Sequence, residues 1–347
     1  MLYYYFILCL WMNLMNQMDY LRCASVGVLF GLAGCSSNSV NDIDKVEEPT
    51  MLTKQTLNIE GLKHCNNAND SRIHLNPDEP LTIIVHGCFA SAGQFKTLAD
   101  VYGLYDQQAI CFEYDDRKSL EETSGELVSA LNQLSDENPE QPLHIIGHSQ
   151  GGLVARRALT VDREDEKKVA TKQLQLTTVS SPFNGIEISS HCGMTSLRIL
   201  SLGIVDLICY AVTGEKYQQI PPNADFIEQP GDLLSSVSQH LVIKTDERDT
   251  CRRTNDDGIC VEDDYVFSVS EQSNQDVDDV VHANPITVKA GHVEIVGNGD
   301  SVPTDLIDIL KEQQLLIDNG TVDQLEQARL IEQLYFQEES SNLSILK

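Results

Sequence analysis

The segment Leu143–Arg157 (LHIIGHSQGGLVARR) constrains the fold of this 347-residue chain more than any other. An apolar run ends at Gly147, and a helix-forming run begins at Gln150. Gly147 and Gly151 flank Ser149 in a G-x-S-x-G arrangement. A sharp turn from a strand into a helix leaves no room for Cβ atoms at the flanking positions, and it lifts the serine hydroxyl clear of the sheet. The segment therefore predicts a buried strand, a tight turn that presents Ser149, and a helix.

Short apolar runs alternate with amphipathic helical patterns along the rest of the chain. The predicted strands are Leu81–Val85, Ile110–Tyr114, Leu143–Ile146, Leu174–Val179, His240–Lys244 and Ile286–Lys289. The predicted helices are Ser91–Tyr105, Leu120–Leu134, Gly151–Leu159 and a terminal helix that begins near Pro303. Because strands that alternate with helices pair in parallel and bury both sheet faces, we expect an α/β fold with a mostly parallel central sheet flanked by helices.

Two insertions interrupt this alternation. The first, Val161–Lys172, is a run of charged residues, which is typical of a solvated surface. The second, Phe183–Ser238, contains the apolar piece Leu197–Val212, which no strand of the sheet requires. We interpret residues 183–238 as a cap insertion, which forms either the core of a small cap or a lid over an apolar site.

The segment around Ser149 resembles the nucleophile elbow of the α/β-hydrolase superfamily, and its sequence GHSQGG resembles that of bacterial triacylglycerol lipases. The resemblance extends in ordered pieces from about Leu81 to about Asp308. It implies an α/β-hydrolase fold and a serine esterase or lipase that works through an acyl-enzyme on Ser149. The substrate implied is an ester or a lipid.

Acyl transfer to a serine needs two N–H donors aimed at the developing oxyanion. The resemblance implies that one donor is the backbone of Gln150, the residue after the nucleophile. The other lies in the loop after the first parallel strand, where His86-Gly87-Cys88-Phe89 resembles the His-Gly-x oxyanion loop of the family. That alignment gives the N–H of Cys88, with Phe89 as a second candidate.

The triad of this fold runs in the order Ser, Asp or Glu, His along the chain. His292 follows the last predicted strand in Ala290-Gly291-His292-Val293 and resembles the Gly-His turn of the family, so we predict that it is the general base. The segment EDDYVFS resembles the lipase pattern around the acid, and that alignment gives Asp264. Asp246, two residues after the strand His240–Lys244, and Asp263 are alternative candidates.

Two other functions remain open at this point. A phospholipase or an acyltransferase that acts on envelope lipids would use the same triad. A non-catalytic envelope lipoprotein that keeps the fold for binding is the alternative outside the enzymes. The presence of both Ser149 and His292 in the right order disfavours it, because a binding module does not need both.

The N-terminus carries the features of an export signal. Cys23–Gly34 is an apolar stretch that ends in small residues, as in the hydrophobic part of a secretory signal. The end of this stretch together with the next residue, Leu32-Ala33-Gly34-Cys35, resembles the lipobox of bacterial lipoproteins, which implies lipidation of Cys35. Ser36 implies sorting to the outer membrane of a Gram-negative cell. The alternative is an uncleaved signal anchor.

These features divide the chain into four parts. We predict a lipoprotein signal peptide at residues 1–34, the lipidated Cys35 and a flexible tether at 35–60, and the hydrolase domain at 61–316. A C-terminal helical extension follows at 317–347. Within it, Thr321–Phe336 has an amphipathic pattern that places four residues on one side of a helix: Leu325, Ala328, Ile331 and Tyr335.

An exported protein meets an oxidising compartment, in which disulfides form. Cys251 and Cys260 bracket a short polar loop and are the first predicted pair, and Cys192 and Cys209 flank one apolar insertion and are the second. The remaining three cysteines allow one bridge and one free thiol, and their pairing stays open: Cys65, Cys88 and Cys111.

Charge and spacing exclude several classes of ligand. The formal net charge of −29 makes nucleic-acid binding improbable, because contacts to phosphates need clustered Lys and Arg. No CxxC or nearby HxxxH spacing supports a zinc site, and an acidic cluster at Asp276, Asp278 and Asp279 lacks EF-hand spacing. We therefore predict no metal and no cofactor. The expected membrane contact is the N-terminal lipid anchor.

Overall fold

The computed structural model describes residues 54–161, 168–193, 204–255, 257–297, 301–318, 320 and 323–345. These residues belong to one compact unit, Lys54–Lys347. The predicted signal peptide, Cys35 and most of the predicted tether lie outside the described residues.

Eleven strands occur in the described part of the chain. In chain order they are β1 Gln55–Asn58, β2 Leu62–Lys63, β3 Arg72–Leu75, β4 Leu81–Val85, β5 Gln108–Phe112, β6 Leu143–His148, β7 Leu174–Val179, β8 Val237–Thr245, β9 Cys251–Thr254, β10 Cys260–Asp263 and β11 Ala283–Val288. Seven of them form the main sheet in the order β11-β8-β7-β6-β4-β5-β2. All neighbours in it are parallel except the edge strand β2, which runs antiparallel to β5.

The helices connect the strands and continue beyond them. They are α1 Lys96–Leu104, α2 Leu120–Glu137, α3 Gln150–Ala158, α4 Ile204–Thr213, α5 Asp225–Glu228, α6 Val269–Gln272, α7 Gln275–Asp278, α8 Thr304–Glu312 and α9 Gln324–Ile345. Short 3₁₀ turns lie at Ala92–Phe95, Glu187–Gly193, Glu215–Gln218 and Glu294–Val296.

The central strands separate two apolar layers. Successive side chains of a strand point to opposite faces, so in β4 the side chains of Ile83 and Val85 join one cluster and that of Ile84 joins the other. Residues of α2 and α3 fill the first cluster, and residues of α1 and α8 fill the second. A sheet that is apolar on both faces needs this cover on both sides, which explains why its strands read as continuous apolar runs.

The structure confirms the predicted α/β-hydrolase architecture, with small shifts of the element ends. The strand predicted at Ile110–Tyr114 begins two residues earlier, because Gln108 already pairs with Leu81 of β4. The helix predicted to begin near Pro303 is α8, with Pro303 as its N-cap. The described residues between β7 and β8, the range predicted as a cap insertion, include α4 and α5. Of the apolar piece Leu197–Val212, residues 197–203 lie outside the described residues.

One predicted boundary and the predicted apolar face of the C-terminal helix differ from the structure. β1 lies at Gln55–Asn58 and pairs with β3, so ordered sheet structure begins inside the range 35–60 that was assigned to the tether. In α9, Ile331 and Tyr335 are buried as predicted, whereas Leu325 is 81% exposed. Ala328 is also exposed, and Gln327 is buried in its place.

Three disulfides connect the described cysteines. Cys251–Cys260 and Cys192–Cys209 confirm the two predicted pairs. The third bridge is Cys65–Cys111, which leaves Cys88 as the free thiol of the described part. Within the same ranges, no helix has the length and apolar character needed to span a bilayer.

Candidate active site

The parallel strands bring their carboxyl ends to one edge of the sheet, and the predicted site residues follow there. Ser149 comes directly after β6, and Cys88 lies three residues after β4. His292 lies four residues after β11. Residues that are far apart in the sequence thus share one edge, which is where open α/β sheets place their ligand sites.

Ser149 occupies a strained turn between β6 and α3. Its backbone has φ 55° and ψ −126°, a region that a non-glycine residue rarely adopts. The turn is fixed from both sides, since the N–H of Ser149 donates to the carbonyl of Val179 at 2.9 Å and the N–H of Gly152 donates to the carbonyl of Ser149 at 3.0 Å. This confirms the sharp turn that the G-x-S-x-G spacing predicts.

The glycines of the turn are required by close contacts between backbones. A Cβ on Gly147 would lie 2.5 Å from the carbonyl oxygen of Gly151, and a Cβ on Gly151 would lie 2.2 Å from that of Val85. A Cβ on Gly87 would lie 2.9 Å from the Cβ of Ser149, so the loop after β4 packs directly on the nucleophile. The elbow and the predicted oxyanion loop are therefore one packed unit.

His292 is held by a buried carboxylate, and that carboxylate belongs to Glu247. Nδ1 of His292 lies 2.9 Å from Oε1 of Glu247, whose side chain is fully buried. Oγ of Ser180 donates to the same carboxylate oxygen at 2.7 Å and lies 2.8 Å from Nδ1 of His292. Thr245 also donates its hydroxyl to Oε1, at 2.8 Å.

The second oxygen of Glu247 is satisfied by the backbone. Oε2 accepts from the N–H groups of Val266 and Phe267, at 2.5 and 2.7 Å. Burial alone would raise the pKa of Glu247, but the hydrogen bond and the charge of His292, with further help from Ser180 and the Phe267 N–H, bring its pKa below the ordinary value. Glu247 is therefore a carboxylate at neutral pH.

The structure assigns Asp264 a different position from the predicted one. Its carboxylate does not face the His292 ring: Oδ2 accepts from the N–H groups of Val293 and Glu294, both at 2.9 Å. Oδ1 accepts from the guanidinium of Arg252, at 3.0 and 2.9 Å. We therefore replace Asp264 with Glu247 as the candidate acid, because only the latter carboxylate contacts Nδ1 of His292 among the described residues.

The backbone of Asp264 also contacts the loop that carries His292. The N–H of His292 donates to the carbonyl of Asp264 at 3.0 Å, and a Cβ on Gly291 would lie 2.2 Å from Oδ2 of Asp264. Asp264 is fully buried. It binds three successive backbone N–H groups around His292, which fixes the loop that carries the base.

The two alternative acids also face away from the ring. Both carboxylate oxygens of Asp246 bind the guanidinium of Arg248, at 2.7 and 2.6 Å, and this pairing lowers the pKa of Asp246 to about 2. Asp263 ends β10 and is exposed. Asp246 is partly exposed, whereas the side chain of the next residue, Glu247, is fully buried.

His148 connects the elbow with the loop of the base. Its Nε2 donates to the carbonyl oxygen of His292 at 2.9 Å, and the two rings have centroids 4.8 Å apart. Burial lowers the pKa of His148 to about 3, so the ring is neutral and keeps the proton on Nε2 that this bond requires. The residue before the nucleophile thus contacts the residue predicted to be its base.

The oxyanion candidates lie beside the elbow. Gln150 is the first residue of α3, where the backbone N–H groups of a helix are free of intrahelical partners. Phe89, the second candidate, has a φ of 57°. Its N–H already donates to Oδ2 of Asp116 at 2.9 Å, so this donor is occupied. Cys88 remains the better candidate of the two. Burial raises the pKa of its thiol to about 11, so the side chain is a neutral thiol.

Sequence reasoning did not identify Ser180 or Glu247 as site residues. Ser180 follows β7 directly and has a φ of 50°, and its position after an apolar strand is the signal that could have indicated it. Among the described residues, no group of three or more His, Cys, Asp and Glu side chains is arranged to hold a metal ion. The arrangement therefore offers a serine, a histidine and a carboxylate, with backbone donors beside the serine.

The chain is similar to known ester-hydrolysing proteins. A family model described as palmitoyl protein thioesterase matches residues 82–240, a range that includes Cys88 and Ser149 and ends before Glu247. No curated protein sequence matches the chain. Together with the elbow, the family match supports an ester-hydrolysing enzyme with an α/β-hydrolase fold.

Several solved structures align with the chain at low sequence identity. A lipase from Bacillus licheniformis in its mature form is 13% identical, with 70% of this chain and 95% of that chain covered and a TM-score of 0.47. A type II thioesterase from the yersiniabactin NRPS/PKS biosynthetic pathway is 13% identical, with 72% and 97% covered and a TM-score of 0.41. A gene product of Listeria innocua is 16% identical, with 67% and 95% covered and a TM-score of 0.42.

The elbow contacts predict the effect of one added methyl group. Gly151→Ala places a Cβ against the backbone of β4, so we expect the free energy of unfolding to fall by at least about 1–3 kcal/mol. Gly103→Ala is the matched control, because a Cβ there meets nothing within 4 Å in helix α1. The control should be neutral or stabilising by up to about 1 kcal/mol. Urea denaturation measures both, and equal stability of the two variants would refute the packing account.

The two acidic residues should respond differently to removal of their charge. Glu247→Gln should lower kcat by roughly 10²- to 10⁴-fold, because the histidine loses the group that fixes its tautomer. Asp264→Asn should lower the free energy of unfolding by about 1–3 kcal/mol and leave kcat of the folded protein within about tenfold. Ester hydrolysis and thermal unfolding of both variants check this. A larger loss of kcat in Asp264→Asn than in Glu247→Gln would show that Asp264 is the acid of the triad.

Proposed function

We propose that this protein is a serine hydrolase that cleaves esters or thioesters of apolar acyl groups. Ser149 is the nucleophile, His292 the general base, and Glu247 the acid of the triad. The observation that carries the proposal is the 2.9 Å contact between Nδ1 of His292 and buried Glu247, at the same sheet edge as the strained turn of Ser149.

The contact with Glu247 supports Nε2 as the nitrogen of His292 that acts as the base. A carboxylate can only accept, so the Nδ1 of His292 carries the proton that is shared with Glu247. Nε2 is then unprotonated and free to accept the proton of the Ser149 hydroxyl. Ser180 and Thr245 add donors to the carboxylate, which keeps Glu247 ionised and its oxygen fixed beside the ring.

Acyl transfer follows from these roles. Oγ of Ser149 attacks the carbonyl carbon of the substrate while its proton passes to Nε2 of His292. The tetrahedral intermediate then collapses, the bond to the leaving alcohol or thiol breaks, and the imidazolium returns the proton to that leaving group. A water molecule attacks the acyl-enzyme by the same route, which releases the acid and restores Ser149. Glu247 stabilises the imidazolium in both halves.

The developing oxyanion is placed beside Gln150 and Cys88 in this proposal. The backbone N–H of Gln150 lies at the positive end of α3. The loop of Cys88 packs on the nucleophile, as the close approach of Gly87 to Ser149 indicates. Two N–H donors fixed before the reaction stabilise the charge at no cost of reorganisation.

The apolar acyl group is supported by a side chain beside the site. Phe89, on the loop that packs on Ser149, is 54% exposed and offers an aromatic surface to an apolar acyl group. The thioester part of the proposal comes from the palmitoyl protein thioesterase description of the matching family model.

We also propose that the domain is anchored by a lipid on Cys35 at the Gram-negative outer membrane. Cys35→Ala should abolish incorporation of labelled palmitate and release the protein from the membrane fraction. The reason is that the acyl chains on the cysteine anchor the protein by inserting into the hydrocarbon layer of the membrane. Cys23→Ala is the control and should keep the label. Label retained in Cys35→Ala and lost in Cys23→Ala would contradict the assignment of the lipid site.

Ser149→Ala tests the proposed chemistry directly. Residues 36–347 should hydrolyse p-nitrophenyl esters from acetate to palmitate, and also palmitoyl thioesters. The variant should lose at least about 10³-fold in kcat, since the acyl-enzyme cannot form. Activity on phospholipids alone would shift the substrate to the envelope lipids. Failure of a fluorophosphonate probe to label Ser149 in the wild type would leave only a binding role.

A further inference from the structure

Lys216 is a buried lysine in the cap insertion. It lies in the 3₁₀ turn Glu215–Gln218 and is 2% exposed. Removing an ammonium group from water is expensive unless several acceptors replace the lost hydration. The partners of Lys216 therefore indicate why a charge is located there.

The ammonium group contacts both candidate oxyanion residues. Nζ of Lys216 donates to Oε1 of Gln150 at 2.5 Å and to Sγ of Cys88 at 3.1 Å. It also donates to the carbonyl oxygen of Asp116 and lies 3.5 Å from Oδ2 of the same residue. Gln150 begins helix α3 after β6, and Cys88 lies in the loop after β4, so one side chain of the cap connects two separate segments.

Asp116 extends this connection to the next residue of the oxyanion loop. Its Oδ2 accepts the N–H of Phe89 at 2.9 Å, and its carbonyl accepts from Nε2 of Gln150 at 3.1 Å. Burial would raise the pKa of Asp116, but the charge of Lys216 and the Phe89 N–H bring that pKa below its ordinary value. Lys216 is buried and Asp116 is partly buried, and the two form an ion pair that holds Phe89 and Gln150.

The backbone around Lys216 is fixed against the same loop. Gly214 has a φ of 79°, and a Cβ on it would lie 2.2 Å from the carbonyl oxygen of Arg117. That carbonyl accepts the N–H of Glu215 at 2.7 Å. The guanidinium of Arg117 in turn donates to carbonyls at the end of α4, those of Tyr210, Ala211 and Val212. These contacts fix the cap segment that carries Lys216, and they hold its side chain beside the candidate oxyanion donors.

We propose that Lys216 is a positioning residue for the oxyanion hole, and that the hole is completely formed only when the cap is docked. Lys216 acts through the side chains of Gln150 and Cys88, and the backbone N–H groups of those two residues contact the substrate. This inference rests on the proposed function, because it gives a role to donors that stabilise the oxyanion formed on Ser149. Its consequence is that the cap influences the rate of the chemical step as well as the binding of the acyl chain.

Lys216→Met removes the charge and keeps an unbranched side chain. The expected result is a fall in kcat of roughly 10- to 10³-fold with KM within about threefold, since an oxyanion donor acts in the transition state only. The rate of fluorophosphonate labelling of Ser149 should fall in parallel, because that reaction also places an anionic oxygen in the hole. Lys216→Arg keeps the charge and should recover at least about a tenth of the wild-type kcat.

Lys118→Met is the matched control. Lys118 lies two residues after Asp116 but is partly exposed and pairs with Glu122 and Glu126 on α2, away from the hole. Its kcat and labelling rate should equal those of the wild type. Thermal unfolding establishes that each variant is folded. If Lys216→Met does not fold, Gln150→Leu replaces it, because that change removes the contact with Lys216 while the backbone N–H stays; the same loss of kcat at constant KM is expected.

The outcomes separate this inference from the proposed function. If Ser149 of the wild type is not labelled, the proposed function fails and the role of Lys216 fails with it. If the wild type is labelled and Lys216→Met has unchanged kcat, the role of Lys216 alone is refuted. A rise in KM at constant kcat also refutes it, since Lys216 would then support substrate binding. An equal loss in Lys118→Met would assign the effect to general loss of positive charge.

Discussion

Three backbone segments approach each other so closely at Ser149 that side chains are excluded between them. The carbonyl of Val85 would lie 2.2 Å from a Cβ on Gly151, and Gly87 packs on Ser149 itself. This contact holds Ser149 at a positive φ and joins the end of β4 to the start of α3. The strain is tolerated because the buried parallel sheet fixes both segments. The oxyanion loop and the nucleophile consequently share one rigid support, on which the other site residues depend.

Buried polar contacts hold the base loop and the turn of Lys216 against this support. His148 binds the carbonyl of His292, and Asp264 binds the N–H groups that follow it, so the base loop is fixed from both sides. Lys216 connects its own turn in the cap to Gln150 at the start of α3. Each of these side chains is buried, and each bond spans a long sequence separation. A site of this kind is assembled by the tertiary structure and is absent from any isolated segment.

The local parts of this site were predictable from the sequence, and the long-range parts were not. The elbow follows from glycines within five residues of each other, which is why Ser149 lies in the expected turn. The position of Glu247 depends on which side chain faces inward after β8, and the Cys251–Cys260 hairpin separates it from Asp264. Both acids are buried and close to His292, so only the direction of each carboxylate distinguishes them. The partners of Lys216 come from three separate loops and leave no pattern in the sequence.

The proton on the His292 ring distinguishes Glu247 from Asp264 as the partner of the base. Nitrogen-15 NMR of histidine-labelled protein at neutral pH reports which ring nitrogen carries the proton. If Glu247 is the partner, the proton lies on Nδ1 of His292, exchanges slowly in the wild type and in Asp264→Asn, and loses this protection in Glu247→Gln. The opposite result, with protection kept in Glu247→Gln and lost in Asp264→Asn, would contradict the account and make Asp264 the partner of the base.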